Sequence, residues 1–195
     1  MPLHPLTAPA PALRSVLAAL ASPTAPRPAP GSVRPELPLP VHVLDRIRPH
    51  AGPPSGTLPG PPHTRLTGWR FLLHSGERAV AAADTVLTPD GWTFSHIVEG
   101  PYVAAGERAL RQAEALPAPY QPRLLSVPEL YMLTLWLHGD LDAGPAEGSP
   151  RPTDLLVPLA PAPPGIAAHR PHRVAELLPV LTHRIAPAPL LGSPA

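Results

Sequence analysis

Residues 69–99 read WRFLLHSGERAVAAADTVLTPDGWTFSHIVE, three runs of strand-like periodicity separated by two turns. Trp69, Phe71 and Leu73 alternate with Arg70, Leu72 and His74, and a period of two puts successive side chains on opposite faces of a strand. Ser75, Gly76 and Glu77 turn the chain, and the small residues from Ala79 to Leu87 return beside it. At Thr88-Pro89-Asp90-Gly91 the proline fixes φ and the glycine supplies a positive φ, the chemistry of a tight turn. Trp92, Phe94, His96 and Val98 then alternate with Thr93, Ser95, Ile97 and Glu99, which puts His96 on the face of Trp92 and Phe94. Three antiparallel strands in a meander follow from this stretch.

C-terminal to it, Gly100 and Pro101 stop the sheet. Val103, Leu110, Ala113 and Leu116 then recur at helical spacing, Glu107 and Arg111 stand four apart in the favourable order, and Pro117 ends the helix. Arg123 to Val127 is a short apolar run. The almost wholly apolar stretch Glu129 to His138 admits two readings. Ser126 and Glu129 have capping-box spacing and Gly139 stands where a C-cap would, which favours helix. Leu155 to Leu159, beyond the polar loop from Gly139 to Pro152, offers a hairpin partner, and the strand reading is preferred.

N-terminal to the meander, Val41, Val43 and Leu44 read as a first edge strand and Pro49 to Pro62 as loop. Leu13, Val16, Leu17 and Leu20 give residues 12–21 a helical period, too short for stability in isolation. Ser22 to Pro30 favours polyproline II, and its Pro23 and Pro26 have the Pro-x-x-Pro spacing that an aromatic groove reads. A second short helix, Arg173 to Leu181, is interrupted by Pro179 before a frayed end.

Composition sorts these pieces. The chain has 195 residues, of which 35 are proline and 14 glycine, a share bordering on that of low-complexity sequence. The prolines divide unevenly, 17 in residues 1–66, 6 in 67–137 and 12 in 138–195, while every aromatic lies between Trp69 and Trp136. Aromatics supply much of a core's buried area, so the core belongs there. The expected fold is α+β, a small antiparallel meander with one helix packed on a face, across residues 36–160. A flexible Pro-rich tail with a short helix is expected over 1–35, and a loosely packed Pro-rich segment with a short helix over 161–195.

Charge narrows the function. All fifteen basic residues are arginine, lysine and asparagine are absent, and the formal net charge is +1. That usage matches the coding bias of a G+C-rich genome, and the arginines form no stripe of the kind that displaces counterions from nucleic acid. No apolar run approaches the ~20 residues of a membrane span. Absence of cysteine excludes disulfides, thiolate zinc sites and cysteine nucleophiles, and with a poor export signal the expected location is cytoplasmic.

His169, His172 and His183 have a superficially ligand-like spacing, but Pro171 prevents a helix from presenting two rings together, so no metal or cofactor is expected. The better constellation is His96 with His74 or Asp84 from neighbouring strands and Glu99 at the strand end, groups suited to acid–base work. Ser95 and His96, adjacent on a strand, point to opposite faces and should not meet. These residues do not obviously converge, and the Pro-rich ends invite contacts. The chain therefore reads as a non-catalytic binding or accessory protein with a protein partner or a second copy of itself. The alternative is a small enzyme or ligand-binding domain with His96, His74, Asp84 and Glu99 in a pocket between sheet and helix.

Overall fold

The computed structural model describes residues 3–22, 33–45, 63–147 and 149–185. The meander forms where its alternation places it. In chain order the elements are α1 (Ala10–Ala21), β1 (Arg34–Leu44), β2 (Thr64–Ser75), β3 (Arg78–Thr88), β4 (Gly91–Val98), α2 (Pro101–Glu114), β5 (Gln121–Val127), β6 (Met132–His138), β7 (Leu155–Pro158), β8 (His172–Arg173) and α3 (Val174–Ile185). The polyproline II stretch, the 49–62 loop and the end beyond 185 lie outside the described residues.

The architecture is α+β, but the small sheet with one helix is corrected. Among the described residues eight strands form one sheet in the order β4-β3-β2-β1-β5-β6-β7-β8, antiparallel except where β1 meets β5. Glu129–His138 resolves as expected, with Met132–His138 in strand and Leu135 and Trp136 opposite Val157 and Leu156. The capping-box signal at Ser126–Glu129 corresponds to a single 3-10 turn, Pro128–Leu130.

The helices α1, α2 and α3 cover both faces. Leu72, Ala82, Leu124, Leu135 and Leu137 pack with Val103, Ala109 and Leu110 of α2. On the opposite face Trp69, Phe71, Leu73, Ala81 and Ala83 lie beneath Ala12 and Val16 of α1, while Leu125, Trp136 and Leu156 lie beneath Leu177, Leu178 and Leu181 of α3. Ala12 and Val16 are fully buried, so the segment expected to be a flexible tail contributes a docked helix. The C-terminal helix is likewise packed rather than loose, and it continues through Pro179. Both helices were short on local propensity, and their apolar stripes are stabilised by packing on the sheet.

β1 is interior, between β2 and β5, not the edge strand expected from Val41, Val43 and Leu44. It carries Pro35, Pro38 and Pro40, and a proline lacks the N–H that a two-sided ladder requires. The structure separates the two demands along the strand. Arg34 to Pro40 has β2 alone as ladder partner, and only Val41, His42 and Val43 pair also with β5. A register shift between Glu36 and Leu39, with Leu37 at φ 46, takes up the proline-rich part.

A further shift lies between Asp84 and Thr85 of β3, opposite His96 and Phe94 of β4, leaving Ser95 as an extra residue. This bulge reverses the phase of the strand after Ser95. Trp92, Phe94 and Ile97 pack toward α1 whereas Val98 packs toward α2. His96 is therefore on the face opposite Trp92 and Phe94, contrary to strict alternation. Gly68 allows β2 and β3 to approach closely, since a Cβ there would stand 2.1 Å from the Thr85 carbonyl oxygen.

Candidate functional site

Three places concentrate chemistry. At the first, Asp84 is held by Arg70 through two hydrogen bonds of 2.7 Å, a bidentate pair that uses both carboxylate oxygens. His96 Nε2 stands 3.9 Å from Asp84 Oδ2, and His96 Nδ1 is 2.9 Å from Ser95 Oγ. His96 thus stands near Asp84 without a hydrogen bond to it, and the bulge brings together Ser95 and His96, which regular alternation would have kept apart. Arg70, not singled out from the sequence, dominates the carboxylate. The His96 side chain is 61% exposed. His74 lies apart, with Nδ1 3.0 Å from Glu36 Oε2. Its position four residues along β2 from Arg70 puts it about 13 Å away. Glu99 follows the end of β4 in an exposed position. The four residues do not form one site.

The second place was not legible in the sequence. His42, Gln121, Arg123, Thr134, Trp136, His138 and Asp154 are all buried. Asp154 accepts hydrogen bonds from Trp136 Nε1 (2.8 Å), His138 Nδ1 (2.7 Å) and the backbone N–H groups of Gly139 and Arg151. Burial would raise its pKa. The bonds from His138, the Arg151 N–H, Trp136 and the Gly139 N–H outweigh that and hold the carboxyl below its usual value. The guanidinium of Arg123 stands 5.1 Å from the Trp136 ring centroid, so the indole separates a buried cation from a buried anion.

Arg123 donates to the carbonyls of Ala143, Gly144 and Glu147, and Gln121 Nε2 to those of Leu141 and Ala143. Burial draws the Arg123 pKa down to about 10, leaving it cationic. Together the two side chains pin the β6–β7 connection against the sheet. His42 packs edge-on to Trp136 at 5.2 Å between ring centroids. Burial, then the charge of Arg123, lower its pKa to about 4, with His138 adding to the effect and the Pro145 carbonyl opposing it. The cluster organises the connection. Its side chains are closed to solvent, and no group of three metal-ligating side chains occurs among the described residues.

Compared with protein-family models, curated proteins and solved structures, the chain matches none.

The third place is the tip of the β5–β6 hairpin. Val127 pairs with Met132, and the four residues between them form the 3-10 turn followed by Tyr131. Tyr131 adopts the left-handed conformation, φ 49 and ψ 38. A bulky residue at positive φ is an outlier that glycine would occupy without steric cost. Its side chain is 89% exposed, so packing does not account for its presence. Tyr102 Oη lies 2.6 Å from the Tyr131 carbonyl and 3.0 Å from that of Pro161, one proton shared between two acceptors that brace the turn. Burial raises the Tyr102 pKa, which favours the protonated donor. The histidine-centred sequence reading missed Tyr131. A tyrosine before a strand, where a hairpin wants glycine or asparagine, was the available signal. No described helix is long and apolar enough to cross a membrane.

Proposed function

We propose that the chain is a non-catalytic binding protein whose partner is a protein held at the hairpin tip around Tyr131. A single observation carries the reading: Tyr131 is held at positive φ, braced by Tyr102, with nine-tenths of its side chain in water. Backbone strain that the fold does not require concentrates at functional sites. A rigidly presented tyrosine also supplies a large amphipathic contact at small entropic cost, which is why tyrosine is enriched at binding hot spots. Exposed Pro128 and Pro161 beside it extend the surface without charge.

The test compares captured proteins on the wild-type chain and on Tyr131→Gly, which keeps the turn and removes the ring. A partner retained by the first and lost from the second supports the reading. Identical captured sets, or none with either, refute it.

A second reading, a small hydrolytic enzyme, is supported by the 2.9 Å contact between Ser95 Oγ and His96 Nδ1 with Asp84 beyond. It is the weaker of the two. A His96–Asp84 separation of 3.9 Å exceeds a hydrogen bond, and Arg70 already neutralises the carboxylate. Serine-directed phosphonate labelling at Ser95, absent from Ser95→Ala, would establish it, and an unlabelled protein would end it.

A further inference from the structure

The sheet has unequal edges. β8 is two residues long and leads straight into α3, so it offers almost no ladder. β4 is eight residues long and stands at the other end, with nothing paired to its outer side among the described residues. Proteins usually blunt such an edge with lysine, proline, inward charges or a bulge. Gly91–Val98 has the last of these alone, at Ser95, which leaves Gly91–Phe94 in regular register with β3; its only ionisable side chain is His96. The nearest opposite charges, the half-buried Arg70 and Asp84, cancel in their bidentate pair.

We propose that two copies of this chain pair through the outer edge of β4, in an antiparallel ladder whose two-fold axis passes at Thr93, making one continuous sheet. A second copy is the occupant because the edge is complementary to itself. In an isologous contact each residue meets the symmetry image of its own neighbours, so a charged edge would repel its copy, whereas this one is neutral. The register follows from the side chains. With Thr93 opposite itself, Trp92 of each copy faces Phe94 of the other, giving two aromatic cross-strand pairs on the α1 face. Both rings are half-buried in the single chain. The same register brings Asp90, which is exposed, beside the Ser95–His96 bulge of the other copy, an acid against an imidazole on each side of the axis. Overlaying the strands end to end would instead set Asp90 opposite Glu99, acid against acid.

The ladder from Gly91 to Ser95 spans about 13 Å. Leu87, 53% exposed at the end of β3, and Leu13 and Leu17, 37% and 47% exposed on α1, supply apolar surface near it. Tyr131 lies on the β5–β6 hairpin, with β3, β2 and β1 intervening between β4 and β5, so both hairpin tips of the dimer stay free. The pairing stands independently of the partner reading.

Sedimentation and light scattering of the full chain, from about 1 to 500 μM, read the assembly directly. The expected mass is twice 20.5 kDa. Thr93 is exposed, so Thr93→Lys should fold as the wild type does while setting two ammonium groups face to face and weakening association at least about tenfold. The chain has no cysteine, so Thr93→Cys provides a second reading free of background. Across an antiparallel pair the two Cα atoms lie ~4.5–5.5 Å apart, within disulfide reach, and mild oxidation should yield a covalent dimer. A wild-type chain that remains monomeric at the highest concentration overturns the proposal, whether a segment of its own chain covers the edge or nothing does. So does a dimer that withstands Thr93→Lys and does not cross-link through Thr93→Cys. Tyr131→Gly should leave the mass unchanged, which keeps this outcome separable from that of the hairpin test.

Discussion

At an ordinary position alanine is more stable than glycine by roughly 0.5–1 kcal/mol, because glycine gives up more backbone freedom on folding. At Tyr131 the order should reverse. The residue sits at φ 49, ψ 38, where a Cβ crowds the following carbonyl at a cost of roughly 1–2 kcal/mol. Tyr131→Ala keeps the Cβ and the strain. It removes a ring that is 89% exposed, so the lost burial is about a tenth of a tyrosine, about 20 Å² or roughly 0.5 kcal/mol. Tyr131→Gly loses the same burial and relieves the strain, but makes the unfolded chain more flexible by about 0.4–1 kcal/mol. Taken between the two variants, glycine should exceed alanine by about 0.5–1 kcal/mol, a shift of about 1–4 °C at this chain length. Urea denaturation of wild type, Tyr131→Ala and Tyr131→Gly under one buffer measures it. Glycine equal to or below alanine would mean that Tyr131 is not held in the left-handed region, and the structural basis for calling it a presented anchor would fall with it.

His42 gives a pH prediction. Its pKa falls from 6.5 unfolded to about 4 folded, so the unfolded chain binds a proton first as pH drops. The stability associated with neutral burial is complete above pH 6.5 and disappears as pH falls from 6.5 toward 4, by about 3 kcal/mol. His42→Leu should flatten this part of a stability-versus-pH curve, and an unchanged slope would exclude His42 as its source. Asp154 works through the same linkage at lower pH. Its depressed pKa means that its contribution is present above the ordinary carboxylate value and lost as pH falls through the folded one. Asp154→Ala leaves Trp136 Nε1, His138 Nδ1 and two backbone N–H groups without an acceptor and should cost about 3–5 kcal/mol in chemical denaturation; a loss under about 1 kcal/mol would show that the cluster does not hold the β6–β7 connection. Gly68→Ala forces a Cβ against the Thr85 carbonyl, 2.1 Å away, and should destabilise by at least about 1–3 kcal/mol in the same assay, whereas a neutral result would refute the close approach of β2 and β3.

The meander was readable because its signals are local. Period-two alternation in 69–74 and 92–94, and the Pro89-Asp90-Gly91 turn, act over a few residues and survive into the fold. The same is true of α2 and of β6, whose apolar run found the Leu155–Val157 partner that favoured strand over helix. Where the reading failed, a non-local partner intervened. Val41, Val43 and Leu44 read as an edge strand, yet β1 is interior, and its prolines are tolerated there because β5 pairs only with Val41 to Val43, a fact about a strand some eighty residues away. Ser95 looks like any strand residue until the register against Asp84 and Thr85 makes it a bulge and brings its hydroxyl to His96. Of the candidate residues, His96 and Asp84 lie 3.9 Å apart, while His74 and Glu99 lie elsewhere and Arg70 entered unannounced.

Residue chemistry alone set the strand and helix segments of the middle of the chain and the place of its core, because periodicity, turn residues and aromatic content are properties of short windows. The tertiary structure decided that the two end helices close one face of an eight-stranded sheet, that His42, Arg123, Trp136, His138 and Asp154 share one enclosed cluster, and that Tyr131 is held strained and exposed. Each of those outcomes depends on which distant segment supplies the second surface, hydrogen-bond partner or brace, and no local window contains that choice.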